Sequence, residues 1–519
     1  MPDFIIRNPI LPGFNPDPSI VRAGDDFYIA TSSFSYFPGI PIYHSRDLVH
    51  WELLNYAFTD PDTLPLPPGN ISGGLFAPTL RLHDGLFYLI VTNMSAMQTY
   101  LVTAKDPAGE WSKPIILPVA FDPDLFWDDD GTLYVSGCMF GDPSPGAPRI
   151  GFYKVDTERW TYDGEQHGLW TGALYGASWP EAPHIFKKDG WYYLLIAEGG
   201  TEYYHAVTVA RSRSVGGPYE GYEGNPILTH RHMGMSAPIC NVGHADLVEL
   251  KDGSWYTVFL GSRPYGNHNK NLGRETFIAP VIWEDGWPVV SPESGKCEFT
   301  YPAPDLEPHP FHAAPSRDEF KGDSLALEWN TLGTPTNRPY HLTKDGLHVR
   351  AVGKKIRYGA SPAAIGFVGR RQQHMSFTAT ARMTFAPEAG QSAGLMILQH
   401  DYASMRIEAA PGELRVLSNV VATRPNYEPS TSEETVLAST PWNGEPVVLS
   451  IRAKGQSHSF WYGSDEDSMK PLFEGLDGGF LGSDVCGGFV GAYVGTFCSG
   501  DEESENEAVF GWFEYLPEK

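Results

Sequence analysis

Five stretches of this chain repeat one arrangement of apolar and polar positions. They are "DPSIVRAGDDFYIATSS" from Asp17, "APTLRLHDGLFYLIVTN" from Ala77, "DPDLFWDDDGTLYVSGC" from Asp122, "APHIFKKDGWYYLLIAE" from Ala182 and "HADLVELKDGSWYTVFL" from His244. Each runs from a short opener through an apolar alternation to an Asp-rich or Asp-Gly turn, then into aromatic and β-branched residues. Period-two alternation on both sides of a tight turn that accepts positive φ predicts a hairpin. A hairpin recurring at intervals that hold four short strands predicts one four-stranded blade per repeat. Five such blades closed into a ring form a β-propeller without long exposed edges.

After the last repeat the pattern breaks. Residues 301–315, "YPAPDLEPHPFHAAP", are proline-rich and without periodicity, which predicts a stiff connector. Alternation resumes beyond it in "MSFTATARMTF", "VVLSIRA" and "GGFVGAYVGTF", as in a β-sandwich. The expected organisation is all-β: a propeller over residues 1–300, a linker over 301–315 and a sandwich over 316–519. A length of 519 residues suits two domains, and 55 glycines and 44 prolines suit short strands joined by many turns.

Charge and cysteine content narrow the partners. The formal charge is −26 and no run of Lys or Arg tracks a phosphate backbone, so neither nucleic acid nor an anionic membrane is expected as a partner. No apolar span reaches the ~20 residues of a membrane helix, and the first residues lack a signal-peptide core. Five cysteines show no CxxC and no zinc spacing, and an odd number leaves a thiol free. A cytoplasmic protein is the expectation. "DDDG" at Asp128–Gly131 has the flavour of a calcium loop but lacks the remaining ligand spacing and falls where the other copies turn, so a turn is expected there.

Candidate chemistry follows from the repeat. Inner propeller strands line the central channel, so equivalent positions at their starts converge. Those positions are Asp17, Ala77, Asp122, Ala182 and His244, with Glu181 one residue before its aligned place. Taken alone, Asp17 and Asp122 are Asp-Pro turn starters and His244 is a core histidine. Together, three carboxyl groups and an imidazole at one channel mouth predict a site.

At these residues the chain resembles glycoside hydrolase family 43, on "NPDPSIV", "FDPDLFWDDDG", "WPEAPHIFK", "GHADLVE" and "LGRETF", and within it the β-xylosidases with a concanavalin-like sandwich, on "DEFKGDSLALEWNTLGTP" and "GRRQQH". The resemblance implies an inverting, exo-acting hydrolase that takes xylose or arabinofuranose from small xylan-derived oligosaccharides. It makes Asp17 the general base, Asp122 the residue that orients and tunes the acid, and Glu181 the general acid. Arg274 and His244 are the implied substrate-binding residues, with Phe34 of "SSFSYFPG" an aromatic of the sugar subsite. No cofactor or catalytic metal is implied, although a structural calcium near the propeller axis stays open. Phe76 of "LFAPTL" stands where these enzymes usually carry tryptophan, which bears on the balance between xyloside and arabinofuranoside. The sandwich lends a loop to the pocket in this family, and Phe489 and Tyr493 are the candidates.

The proposed chemistry is coherent on its own terms. Inversion at an acetal needs one protonated carboxyl and one ionised carboxylate ~6.5–9.5 Å apart, leaving room for water. A third carboxylate beside Glu181, with Trp179 and Pro180 as apolar neighbours, would keep it protonated. Two rival readings are a propeller that binds carbohydrate without cleaving it, and a retaining fructan hydrolase; the three acids argue against the first, and "GHADLVE" with "LGRETF" against the second.

Overall fold

The architecture comes from a computed structural model that describes residues 4–66, 71–140, 146–174, 176–334, 339–353, 366–421, 431–500 and 504–518. Five antiparallel sheets follow one another along the first part of the chain, each built from strands consecutive in sequence except in the first, which skips Tyr36–Phe37. Their inner strands are Ser19–Ala23, Leu75–His83, Asp124–Trp127, Glu181–Lys188 and Cys240–Glu249. Neighbouring inner strands touch in ring order, and the fifth touches the first. This is the predicted five-bladed propeller. The Asp-Gly turns behave as expected: Asp84 and Gly85 have φ of 48° and 74°, Asp189 and Gly190 of 50° and 72°, the backbone that two-residue hairpin turns require. Apolar faces of adjacent blades pack against each other, as where Leu101 and Leu117 of the second blade meet Leu125 and Val135 of the third.

Ring closure recruits the N-terminal segment. Ile5–Arg7 pairs antiparallel with Thr300–Pro302, and the Asn8 side chain donates to the Ile278 carbonyl at 2.8 Å. Residues 303–316 carry no strand, and they lie against the first blade, where the His309 amide donates to Asp47. "DDDG" forms the turn between Asp124–Trp127 and Leu133–Cys138, and the Lys187 ammonium pairs with both Asp128 and Asp129. All five cysteines are free and buried. Among the described residues no helix is long and apolar enough to cross a membrane.

The C-terminal part forms two eight-stranded sheets. One runs from Tyr340–Thr343 to Lys470–Asp477. The other begins at Ser432–Pro441 and ends on Tyr36–Phe37, a strand supplied by the first blade's loop, which pairs with Asn330–Leu332. Propeller and sandwich are therefore joined by a shared sheet as well as by the connector. Tyr36 stacks on Tyr493 at 3.7 Å between ring centroids, and Phe14 and Phe34 lie in the same apolar core as the sandwich interior.

Candidate active site

Four of the five openers, all but Ala77, are strained in a common way. Asp17, Asp122, Ala182 and His244 have φ of 56°, 46°, 51° and 52°, a left-handed conformation that non-glycine residues adopt rarely and mostly where function demands it. Strand register also slips in the inner strands of the fourth and fifth blades, between Glu181 and His184 and between Gly243 and Asp246. The alignment placed Glu181 one residue before its strained position. Indeed Ala182 carries the strain, and Glu181 turns into the mouth.

The three acids are brought together but hold different partners. Asp17 is buried, accepts the Ser32 hydroxyl at 2.6 Å and one guanidinium nitrogen of Arg274 at 2.7 Å, and has the His244 Nδ1 3.7 Å away. Asp122 accepts the Ala182 amide, yet burial and the charge of Asp17 push its carboxyl up to about 7. Burial also pushes Glu181 well above the ordinary carboxylate range, reinforced by the charges of Asp122 and Asp17. Repulsion is thus the second cause for Glu181, and desolvation the first. Trp179 is not the source of that desolvation, contrary to expectation, because its side chain points outward and is 64% exposed.

The predicted binding residues divide into those that face the site and those that support it. Arg274 is buried, reaches Thr201 Oγ1 at 3.1 Å as well as Asp17, and keeps its second terminal nitrogen without a partner. A buried guanidinium nitrogen left unpaired is costly, so it is available to a ligand. His244 is held neutral, its imidazole pushed down to about 3 by burial. Phe34 is 1% exposed; it stacks on Phe14 and Phe489 and is covered by Phe76. It backs the wall and Phe76 forms more of its surface. Phe489 of the sandwich stands edge-on to Phe76 at 5.6 Å and 5.3 Å from the Arg274 guanidinium. Tyr493 is fully buried in the sandwich core. The approach of the Phe489 loop depends on Gly273, at φ 71°, where a Cβ would lie 2.5 Å from the Val490 carbonyl oxygen.

A second polar layer beneath this one went unrecognised in the sequence. Arg81, from the second blade, donates to Ser19 of the first at 3.3 Å, to Asp246 of the fifth at 2.7 Å and to His184 Nδ1 of the fourth at 2.9 Å. It also lies 2.7 Å from Asp124 of the third. A side chain in contact with all five blades lies on the propeller axis. Because arginine only donates, His184 accepts through Nδ1 and carries its hydrogen on Nε2, which is buried and unpartnered. A calcium ion, which takes 6–8 oxygen ligands, does not fit this donor set: the axial carboxylates already share a guanidinium, and a guanidinium occupies the centre. The missed signal was the polar residue two places after each opener, at Ser19, Asp124, His184 and Asp246. His205, also missed, is buried, pushed down to about 4 by desolvation, and within electrostatic reach of Asp17 and Arg274. Elsewhere, His341, His348 and Glu507 of the sandwich are the one group of three metal-ligating side chains clustered among the described residues.

Comparison with known proteins agrees with this geometry. The profile described as Glycosyl hydrolases family 43 matches residues 6–288, and that described as Beta xylosidase C-terminal Concanavalin A-like domain matches residues 317–516. A non-reducing end alpha-L-arabinofuranosidase of Bacteroides ovatus is 38% identical, the match covering 98% of this chain and 94% of that protein. A xylosidase/arabinosidase of Butyrivibrio fibrisolvens is 37% identical over 98% of this chain and 99% of its own. The solved xylan beta-1,4-xylosidase of Bacillus halodurans superposes with a TM-score of 0.89 at 34% identity, covering 98% of this chain and 100% of that one.

Proposed function

The chain belongs to glycosyl hydrolase family 43, and from that premise we propose that it is an inverting, exo-acting enzyme that releases xylose, and also arabinofuranose, from xylan-derived oligosaccharides. One observation carries the chemistry: Glu181 is half-buried beside two other acids that raise its proton affinity, while Asp17 is paired with Arg274. Glu181 then donates its proton to the leaving oxygen as the glycosidic bond breaks. Asp17 takes a proton from the water that attacks the anomeric carbon from the opposite face, so the product configuration is inverted. Asp122 keeps the proton on Glu181. The free nitrogen of Arg274 holds a sugar hydroxyl, and Phe76 and Phe489 wall the ring. No step needs a metal, since Arg81 supplies the positive charge on the axis.

Closure of one wall by the sandwich supports exo action, because a walled pocket admits chain ends. Phe76 favours a broad preference in which arabinofuranosides are also cleaved. Proton NMR of freshly digested 4-nitrophenyl β-xyloside, whose leaving group carries no anomeric centre, tests the mechanism: α-xylose must appear first. Early β-xylose would make Asp17 a nucleophile and the enzyme retaining. No release from xylosides or α-L-arabinofuranosides would leave a carbohydrate-binding propeller.

A further inference from the structure

An acid that protonates the leaving oxygen has the leaving group on its outward side, so the residues outside Glu181 determine what may leave. Trp179, two positions earlier, stands there. Its indole is exposed although its backbone is held at φ 51°, a combination that a bulky residue without a role has no reason to keep. The loop between Trp191–Glu198 and Ala206–Ser212 runs up to the indole: Gly200 has φ 73°, and a Cβ there would lie 3.3 Å from Trp179 Cδ1. That loop is part of the site, because Thr201 accepts from Arg274 and His205 lies in reach of Asp17. Tyr204 of the same loop and Phe140 of the third blade are likewise exposed.

We propose that Trp179 is the stacking platform for the first leaving-group sugar, a pyranose of the xylan backbone. The loop at Gly200 lies against part of the indole, and the remainder is open to solvent. A pyranose presents an apolar C–H face of matching size, and aromatic side chains supply most of the contact area in sugar-sized sites. Trp179 is accordingly a specificity-determining residue for oligosaccharides over simple glycosides. This rests on the hydrolytic reading of the site.

The test compares xylobiose and xylotriose with methyl β-xyloside, whose leaving group has no ring to stack. Trp179→Ala should lower kcat/KM for both oligosaccharides by roughly 10- to 100-fold, the range for losing one well-packed aromatic contact, and leave methyl β-xyloside within about two-fold. Trp179→Phe should keep most of the oligosaccharide activity, and Trp179→Leu, apolar but without a π face, should lose it. Equal losses on all substrates would mean that Trp179 acts on the placement of Glu181, and the platform would be refuted. No loss on any substrate refutes it too, and so does an unimpaired leucine variant. If the alanine variant does not fold, the phenylalanine and leucine variants decide the question. A wild-type enzyme inert on all three substrates and on 4-nitrophenyl β-xyloside would instead refute hydrolysis.

Discussion

Replacing Arg81 with methionine should destabilise the protein in a pH-dependent way. Asp246 is buried, which alone would raise its proton affinity, yet the guanidinium 2.7 Å away brings its carboxyl from 3.8 to about 2. At ~1.4 kcal/mol per unit, that shift is worth about 2.5 kcal/mol. Removing one partner from a buried ion pair typically costs ~3–5 kcal/mol, since the remaining charge is left uncompensated. With an unfolding entropy of ~2.1 cal/mol/K per residue, a propeller of roughly 300 residues should lose ~5–8 °C in melting midpoint at pH 7. The sign is set by the depressed carboxyl. Its stabilisation is fully present above the ordinary carboxylate pKa near 4 and is lost as pH falls towards 2. In the variant the same carboxyl, buried without a cation, takes up a proton at higher pH and stops penalising the fold. The gap between wild type and Arg81→Met should therefore be widest at pH 7 and narrow towards pH 4.5, with Arg81→Lys between them. Added calcium should raise the midpoint of the methionine variant and leave the wild type unmoved. Melting curves at pH 7, 5.5 and 4.5 decide it. A gap that does not change with pH would show that Arg81 matters only by packing.

Three further outcomes are expected. Asp122→Asn should move the alkaline limb of kcat/KM against pH to lower values, because Glu181 loses a neighbouring negative charge that raises its proton affinity; an unmoved limb would confine Asp122 to orientation. Phe489→Ala should lower kcat/KM several-fold, in line with ~0.5–2 kcal/mol for a cation–π contact with Arg274, and unchanged kinetics would place the sandwich outside the pocket. Phe76→Trp should raise the ratio of xyloside to arabinofuranoside activity by a few-fold, at ~1–3 kcal/mol for a pocket contact, and a constant ratio would make the position neutral.

Much of this was legible because the blades are local. Each hairpin declares itself through alternation and a turn, and register among five copies locates the openers without any knowledge of how the sheets pack. Even the offset of Glu181 from its aligned position was visible, and the strain at Ala182 explains it. What stayed hidden is long-range. "SSFSYFPG" announces aromatics, but nothing local reveals that Tyr36–Phe37 completes a sheet with Asn330–Leu332, or that Phe34 is thereby covered. The axial layer was missed for a different reason. Ser19, Asp124, His184 and Asp246 fall on the inward face of short strands, where a polar residue resembles ordinary β-alternation until Arg81, four residues after its own opener, is known to reach the same point.

The two layers explain why one residue type differs so much in proton affinity between Asp122 and Asp246. Burial raises the proton affinity of Asp122 and Asp246 alike. The difference lies in the cations. Arg81 meets Asp246 with two nitrogens, at 2.7 and 3.4 Å, and overcomes desolvation, whereas Arg274 is engaged by Asp17 and leaves Asp122 at about 7. The lower layer thus carries fixed charge, balanced by a group that does not titrate in the working range. The carboxyls raised towards neutrality lie in the upper layer, at Asp122 and Glu181. A histidine in place of Arg81 would take away the permanent cation that holds the Asp246 carboxyl low. Arginine on the axis thus holds the Asp246 carboxyl of the lower layer low, while burial and the neighbouring acids raise the carboxyls of Asp122 and Glu181 above it.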